Sequence, residues 1–407
     1  MVGGAVRDML LGLPVVDRDW VVVGSTPEEL VALGFLPVGK DFPVFLHPKT
    51  KEEYALARTE RKTTRGYRGF AVHAAPSVTL EEDLARRDLT INSIAACALI
   101  DWSTGRFGTE YDTNIGDLID PFGGQRDIQA KLLRHVTEAF AEDPVRILRV
   151  ARFAARFTDF GVAPETMSLM ARMVASGETD ALVAERVWQE LGNGLMQAQP
   201  ARMMQVLHDC GALQKLLPEL VADEREFSVL NTAAKSDAML SVRFACLMSK
   251  VGRSEPEQLA SDPNCPNINF PNQLESITGI CERLRVPVDC RELACVVARE
   301  QVHVSSSRAL DARALVQLLQ RCDAFRRPQR FADVLLACEC ISGAGQTDWL
   351  MHVLGAAQDV ATDVIAKKSI NTGASGQSDG EAIARAVLDA RCQKVAAVIA
   401  IDAPHKP

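Results

Sequence analysis

Short apolar runs that end at turn residues dominate the first 135 residues of the chain. The run Trp20–Val23 stops at Gly24, which is typical of a buried strand. Thr26, Pro27 and Glu29 follow, and their spacing predicts a helix start with a capping box.

Two further apolar runs predict a β-hairpin. Val44–Leu46 and Tyr54–Ala57 are separated by the turn-forming segment 47–50. Together with the preceding strand, they predict an α/β head in which helices accompany a sheet.

From about Glu138 the pattern changes to helical periodicity, with few strand signals up to the C-terminus. Breaks near Pro218 and at 262–272 divide this helical part. The fold class is therefore α+β, a small head with a mixed sheet followed by an all-α neck, body and tail. The expected domains are 1–135, 136–200, 201–285 and 286–407.

Composition narrows the class of protein. With 407 residues the chain is long enough for several domains, and it has no apolar run of bilayer length, so no membrane partner is expected. Its 11 cysteines form no CxxC pair, which favours reduced thiols and a cytoplasmic location. The net charge of −8 does not exclude RNA, because the segments 58–68 and 146–156 are basic.

A glycine pair opens the chain. Gly3 and Gly4 lead into an amphipathic segment that contains Arg7. Glycines let the backbone approach a phosphate, and Arg7 would add a fixed positive charge for a triphosphate. The alternative is an ordinary turn.

Two carboxylates stand just before the first strand. Asp17 and Asp19 are two residues apart, so on a strand they point to the same side. Oxygen ligands suit Mg²⁺, which leaves coordination positions for substrate phosphates. A solvated acidic turn is the alternative for the pair alone.

The segment 86–93, RRDLTINS, carries a third pattern. Here Arg87 would bind phosphate, Asp88 a ribose hydroxyl, and Asn92 sugar or phosphate. The acidic residues 81–83 come just before it, so a surface salt-bridge network is the alternative.

These three patterns, in this order, resemble the class II tRNA nucleotidyltransferases, the bacterial-type CCA-adding enzymes of the polymerase-β superfamily. The likeness extends from Val2 to about Phe157 and is nearest to the enterobacterial-type group. It implies a polymerase-β-like head, CTP and ATP as nucleotides, and the acceptor arm and 3′ end of tRNA as the partner. Asp17 and Asp19 would be the catalytic metal ligands.

A fourth pattern, EDPVRILRVARF from Glu142 to Phe153, resembles the nucleotide-reading motif of that family. The resemblance implies that Asp143 and Arg146 select the incoming base and that Arg149 also contacts the nucleotide. Their spacing of three predicts that Asp143 and Arg146 lie side by side on one helical face.

The chain departs from the long enterobacterial-type enzymes where these carry a phosphohydrolase domain with a His-Asp pair. The segment 241–252 resembles the helix of that pair, but Ser249 and Lys250 occupy its positions. A hydroxyl and an ammonium do not replace imidazole and carboxylate as metal ligands. His208-Asp209 lies upstream and is expected to be unrelated, so we predict no phosphohydrolase activity. The longer segment 97–116 is expected to be a surface loop or hairpin.

The sequence thus predicts template-independent addition of CMP, CMP and AMP to tRNA with release of pyrophosphate. Two alternatives stay open, a poly(A) polymerase of the same superfamily and an inactive RNA-binding relative. Paired carboxylates beside a phosphate site disfavour the inactive relative, because a pure RNA binder does not need them.

Overall fold

A computed structural model describes residues 1–38, 44–62, 70–97, 117–220, 227–251, 270–365 and 379–402. Most of the segment 97–116, expected to be a surface loop, lies outside these residues. The chain forms two compact units, Met1–Pro218 and Glu219–Pro407. The predicted break near Pro218 coincides with this division, whereas the domain boundaries expected after residues 135, 200 and 285 stay predictions. Within the described ranges, no helix is long and apolar enough to cross a membrane.

The first unit contains a strand-rich head followed by helices. Its elements are α1 (Gly4–Leu10), β1 (Asp19–Val22), α2 (Pro27–Ala32), β2 (Leu36–Val38), β3 (Val44–Leu46), β4 (Glu53–Leu56), β5 (Arg58–Lys62), β6 (Phe70–Ala74), α3 (Leu80–Ala85), β7 (Ala95–Ala96), β8 (Leu118–Ile119), α4 (Gly124–Ala130), β9 (Leu132–Leu133), α5 (Val145–Arg156), β10 (Gly161–Val162), α6 (Pro164–Ala175), α7 (Ala184–Leu195), α8 (Pro200–Asp209) and α9 (Ala212–Leu216). Short 3₁₀ helices span Thr90–Asn92, Glu138–Glu142 and Glu178–Ala181.

The main sheet of the head has the strand order β1-β4-β3-β2. Strand β1 pairs with β4 in parallel, and the other neighbours are antiparallel, so the sheet is mixed as predicted. The predicted hairpin is confirmed as β3 and β4. Phe35, Phe45, Tyr54 and Leu56 form its core, with Trp20 stacked on Tyr54 at 5.5 Å between ring centroids.

The predicted capping box at the start of α2 is also confirmed. The Thr26 side chain accepts a hydrogen bond from the Glu29 backbone N–H, and the Glu29 carboxylate accepts one from the Thr26 backbone N–H. The same arrangement, formed by Thr79 and Glu82, begins α3. This capping fixes the start of α3, the helix that directly precedes the segment 86–93.

Helix α5 is the central element that joins the head to the helical part of the first unit. It packs against α7 and α8, and Val150, Ala151 and Ala154 of its apolar face are fully buried. Arg149 and Arg156 of this helix reach into the head, where they pair with Asp88 and Asp8.

The described part of the second unit is helical, in agreement with the predicted all-α remainder. Its helices are α10 (Ser228–Lys235), α11 (Leu240–Met248), α12 (Phe270–Leu284), α13 (Val288–Ser305), α14 (Ala312–Arg321), α15 (Pro328–Ser342), α16 (Thr347–Gln358) and α17 (Asp379–Asp402). Helix α13 lies at the centre of this unit and packs against α11, α12 and α15.

Candidate active site

Val2 brings the glycine pair next to two other motifs. It forms antiparallel bridges with Asp19 and with Ala95, and its backbone N–H donates to the Asp19 carbonyl at 2.9 Å. The Gly3 N–H donates to the Ile94 carbonyl at 3.1 Å. The glycine pair therefore lies beside the start of β1 and beside the end of the segment 86–93.

Gly3 is needed here for two physical reasons. Its φ of 72° lies in the left-handed region, which favours glycine. In addition, a Cβ placed on Gly3 would lie 2.8 Å from Nη1 of Arg87. The absent side chain therefore leaves room for the Arg87 guanidinium beside the backbone that starts α1.

Asp17 and Asp19 are both exposed, whereas Arg18 between them and Trp20 after them are partly buried. This alternation agrees with the prediction that the two carboxylates share one side of the chain. Arg18 turns instead to Glu52, 3.5 Å away. Among the described residues, no cation pairs with Asp17 or Asp19, so their oxygens stay accessible.

The carboxylate pair suits a hard divalent cation in type and number. Mg²⁺ is usually held by one or two carboxylates together with water and substrate phosphates. Within the described ranges, no group of three or more His, Cys, Asp or Glu side chains could hold a metal by itself. Two accessible oxygen donors therefore fit a site that the substrate completes.

Arg7 is buried rather than open to solvent, with 3% of its surface exposed. Its Nε donates to Asp8 at 2.8 Å and its Nη1 donates to Asn92 at 2.5 Å. The guanidinium lies 5.2 Å from the Phe153 ring centroid and 5.0 Å from that of Phe157. Burial lowers the pKa of Arg7, against the opposing effect of Asp8. Arg7 thus links the glycine motif to Asn92 and to α5.

The Asp88 carboxylate joins three parts of the site. It accepts hydrogen bonds from Asn92 Nδ2 at 3.0 Å, from the Leu89 N–H at 2.8 Å and from Arg149 Nε at 2.7 Å. Burial opposes its ionisation, but the Arg149 charge and these hydrogen bonds outweigh burial and lower the pKa of Asp88 to about 2. Asp88 is therefore a fixed negative charge between the head and α5.

Arg87 is partly buried and pairs with Asp83, its Nη2 lying 3.1 Å from Oδ2. The Arg87 Nε is buried and donates to no partner among the described residues, so this donor is unused. Asp83 also pairs with Arg86 and is fully buried. The acidic segment before Arg87 is thus not only a surface network, because Asp83 is buried. Its contact with Arg87 holds this arginine beside Gly3.

The prediction that Asp143 and Arg146 lie side by side on one helical face is wrong. Helix α5 begins at Val145, and Asp143 precedes it with extended backbone, its carboxylate accepting the Val145 N–H at 3.1 Å. Arg146 is buried, and its guanidinium donates to the carbonyls of Ala139 and Arg86. The guanidinium thus bonds to backbone carbonyls in the interior, whereas the described partners of the Asp143 carboxylate are the Val145 N–H and Arg186.

Helix α7 supplies charged partners that the sequence patterns did not reveal. Arg186 contacts both carboxylate oxygens of Asp143. One helical turn later, Glu190 accepts from Arg152 at 2.6 Å and lies 3.9 Å from Arg149. The one local signal was the spacing of Arg186 and Glu190, which places them on one helical face.

Asp8 is another charged residue of the site that the sequence patterns did not reveal. Besides Arg7, it pairs with Arg156 at the end of α5, 2.9 Å away. Together these contacts form one continuous chain of charged and polar groups that connects α1, the segment 86–93, α5 and α7. In order, it consists of Arg156, Asp8, Arg7, Asn92, Asp88, Arg149, Glu190 and Arg152.

Two family models match parts of residues 1–223. The Poly A polymerase head domain matches residues 1–134, and the probable RNA and SrmB-binding site of polymerase A matches residues 159–223. The first match contains the glycine pair, the carboxylate pair and the segment 86–93.

Similar proteins match nearly the whole chain. The Multifunctional CCA protein of Polaromonas naphthalenivorans is 54% identical, with 98% of each chain covered. That of Variovorax paradoxus is 55% identical, with 96% of this chain and 98% of the relative covered.

Solved structures share the fold. The Thermotoga maritima CCA-adding enzyme complexed with tRNA has a TM-score of 0.63 at 20% identity, covering 98% of this chain and 90% of that one. The Bacillus stearothermophilus CCA-adding enzyme in complex with CTP has a TM-score of 0.66 at 22% identity, covering 98% and 88%.

Proposed function

The chain belongs to the family of class II CCA-adding nucleotidyltransferases, and on this premise we propose that it adds CMP, CMP and AMP from CTP and ATP to the 3′ end of tRNA without a template. The observation that carries the proposal is the joining of four motifs around Gly3 and Asp88. A glycine pair, a carboxylate pair, the segment 86–93 and the start of α5 meet through direct contacts.

Nucleotide binding is assigned to residues along this junction. Gly4, Arg7 and Arg87 bind the triphosphate, which places positive charge and close backbone beside phosphate oxygens. The unused Nε donor of Arg87 supports its part in this assignment. Asp88 and Asn92 contact or position the ribose, and Asp143, Arg146 and Arg149 read the base. Arg7, Asp88 and Arg146 are buried in the structure, so each of them also fixes the neighbours that it contacts.

Asp17 and Asp19 would hold Mg²⁺, which neutralises charge on the phosphates and lowers the pKa of an attacking hydroxyl when bound. The accessible carboxylates and their shared side of the chain support this assignment. The 3′ hydroxyl of tRNA gives up its proton to solvent water and forms a bond to the α-phosphorus. The bond from that phosphorus to the β-phosphate oxygen breaks, and pyrophosphate leaves. The protein contributes mainly position and fixed charge.

The helical remainder, 201–407, would grip the tRNA acceptor arm by shape and backbone charge. The net charge of −8 does not oppose this, because phosphate contacts depend on where cations lie.

A poly(A) polymerase is the second candidate, because the matching head model carries that description. The full-length likeness to Multifunctional CCA proteins favours CCA addition. The deciding experiment gives the protein a tRNA lacking CCA with each nucleoside triphosphate singly and with CTP and ATP together. Addition of C, C and A that then stops supports CCA addition. Unlimited addition of A from ATP alone contradicts it and supports the polymerase.

We further propose that the chain lacks phosphohydrolase activity. Its Ser249 is buried and donates to the Cys246 carbonyl at 2.8 Å, so this hydroxyl is engaged in capping the end of α11. Lys250 beside it would repel a metal ion.

A further inference from the structure

Arg186 holds the Asp143 carboxylate in a two-pronged contact. Its Nη1 donates to Oδ1 at 3.3 Å and its Nη2 donates to Oδ2 at 2.9 Å. Two parallel hydrogen bonds from a planar guanidinium fix the plane of a carboxylate as well as its position. The side chains are 30% and 19% exposed, so the pair remains reachable from solvent.

Arg146, the guanidinium that the sequence places next to Asp143, is engaged elsewhere. It donates hydrogen bonds to the carbonyls of Ala139 and Arg86, and it is buried. Of these two arginines, Arg186 is therefore the one that sets the direction of the Asp143 oxygens.

The remaining capacity of Asp143 determines what it can recognise. Oδ1 accepts the Val145 N–H and Arg186 Nη1, whereas Oδ2 accepts Arg186 Nη2. A carboxylate oxygen can accept two hydrogen bonds, so Oδ2 has room for one more donor. Cytosine and adenine present an amino group at the corresponding edge, whereas uracil and guanine present a carbonyl oxygen. A carbonyl facing a carboxylate would be repelled, and its approach would leave both groups without a donor.

We propose that Arg186 is a specificity-determining positioning residue, which fixes the Asp143 carboxylate so that bases with an amino group are accepted and bases with a carbonyl are rejected. This inference rests on the proposed function. Arg186 acts through Asp143 and need not touch the nucleotide.

The test compares Arg186→Gln and Arg186→Lys with the unchanged protein on tRNA lacking CCA. The quantities are kcat/KM for CTP, UTP, ATP and GTP, each measured separately. Arg186→Gln should reduce the ratio of CTP to UTP, and of ATP to GTP, by about tenfold or more, since one discriminating polar contact is loosened. Arg186→Lys keeps the positive charge but cannot form two parallel hydrogen bonds to a carboxylate. Its ratios should therefore fall between those of the unchanged protein and those of Arg186→Gln.

A second measurement separates positioning from general stability. In an Asp143→Asn background, adding Arg186→Gln should change the ratios no further, because the carboxylate that Arg186 orients is gone. Arg172→Gln is the matched control, since Arg172 is an exposed arginine on α6 that lies 4.0 Å from Glu138. It should leave all four values unchanged.

The outcomes are distinct. If all four values fall equally in Arg186→Gln, or the ratios stay unchanged, the inference is overturned. If Arg186→Gln does not fold, as judged by its thermal melt, the ratios of Arg186→Lys decide in the same way. If the unchanged protein adds no CMP or AMP to tRNA, the proposed function fails instead, which this design shows before any variant is compared.

Discussion

Arg149 donates from Nε to Oδ2 of Asp88 at 2.7 Å, and this ion pair joins helix α5 to the head across 61 residues of sequence. Asn92 occupies the other oxygen of Asp88 and in turn accepts from Arg7. One carboxylate thus holds together parts of three motifs. Its loss should be visible both in stability and in nucleotide binding.

The first prediction concerns the pH dependence of stability. The pKa of Asp88 is about 2 in the folded protein, below its ordinary value of 3.8. The ionised form is therefore stabilised by folding, by about 2 kcal/mol, and this contribution is complete above about pH 5. It is lost as the pH falls from about 4 toward 2, when the folded carboxyl takes up its proton.

Asp88→Asn, which does not titrate, should unfold more easily than the unchanged protein near neutral pH, and the difference should shrink below about pH 4. Urea unfolding at several pH values measures both. Asp209→Asn, at the exposed end of α8, is the control and should show no such gap. A gap that stays constant with pH would contradict the assigned ion pair.

The second prediction concerns the metal. Asp17→Ala should reduce CMP and AMP incorporation by more than about 100-fold. Loss of a residue that only supports a metal ligand costs up to about 100-fold, and loss of a direct ligand should cost more. Binding of tRNA should stay nearly unchanged, because Asp17 is exposed and supports no packing. Incorporation assays and filter binding measure the two properties.

Glu28→Ala is the matched control, since Glu28 is an exposed carboxylate in the first turn of α2. Chelation of divalent ions should abolish incorporation by the unchanged protein, and added Mg²⁺ should restore it. Incorporation that persists in Asp17→Ala would refute the ligand assignment.

The local parts of the site could be predicted from the sequence. The strand at Trp20, the cap at Thr26 and the β3–β4 hairpin depend on neighbours in the chain, so periodicity and turn residues reveal them. The same holds for the alternation that exposes Asp17 and Asp19, because it needs only an extended backbone.

The partners of the charged residues could not be predicted in this way. Arg186 lies 43 residues from Asp143, and Arg156 lies 148 residues from Asp8. The direction of Arg146 was missed for the same reason, because the carbonyls that it satisfies belong to packed neighbours rather than to its own helix. Helical spacing alone gives which side chains are adjacent, but tertiary packing decides which of them meet.

The third prediction concerns the phosphohydrolase activity. The chain should not hydrolyse 2′,3′-cyclic phosphates, with or without added Ni²⁺ or Mg²⁺, because Ser249 and Lys250 cannot serve as the His-Asp ligand pair. The same preparation should incorporate CMP into tRNA, which shows that it is folded and active. Clear metal-dependent hydrolysis would contradict the prediction without affecting the proposed transferase.

The fourth prediction uses two glycines that both have a positive φ. Gly3 and Gly12 have φ values of 72° and 67°, so alanine at either position should cost about 1 kcal/mol or more in backbone strain, and more at Gly3, whose ψ of −132° lies outside the left-handed helical region. At Gly3 the new Cβ would meet a functional group, lying 2.8 Å from Arg87 Nη1, whereas a Cβ at Gly12 would meet no atom of the described residues within 4 Å. The guanidinium is the flexible end of its side chain, so it should shift rather than unfold the head.

Gly3→Ala should therefore lose about tenfold in kcat/KM for CTP and ATP, equal to about 1.4 kcal/mol of transition-state stabilisation. Gly12→Ala should keep nearly full activity, although both variants should melt at reduced temperatures. Arg87→Ala sets the scale, and adding Gly3→Ala to it should cause little further loss, because the displaced group is already absent. Equal activity losses in the two glycine variants would mean that backbone strain, and not the position of Arg87, accounts for the effect.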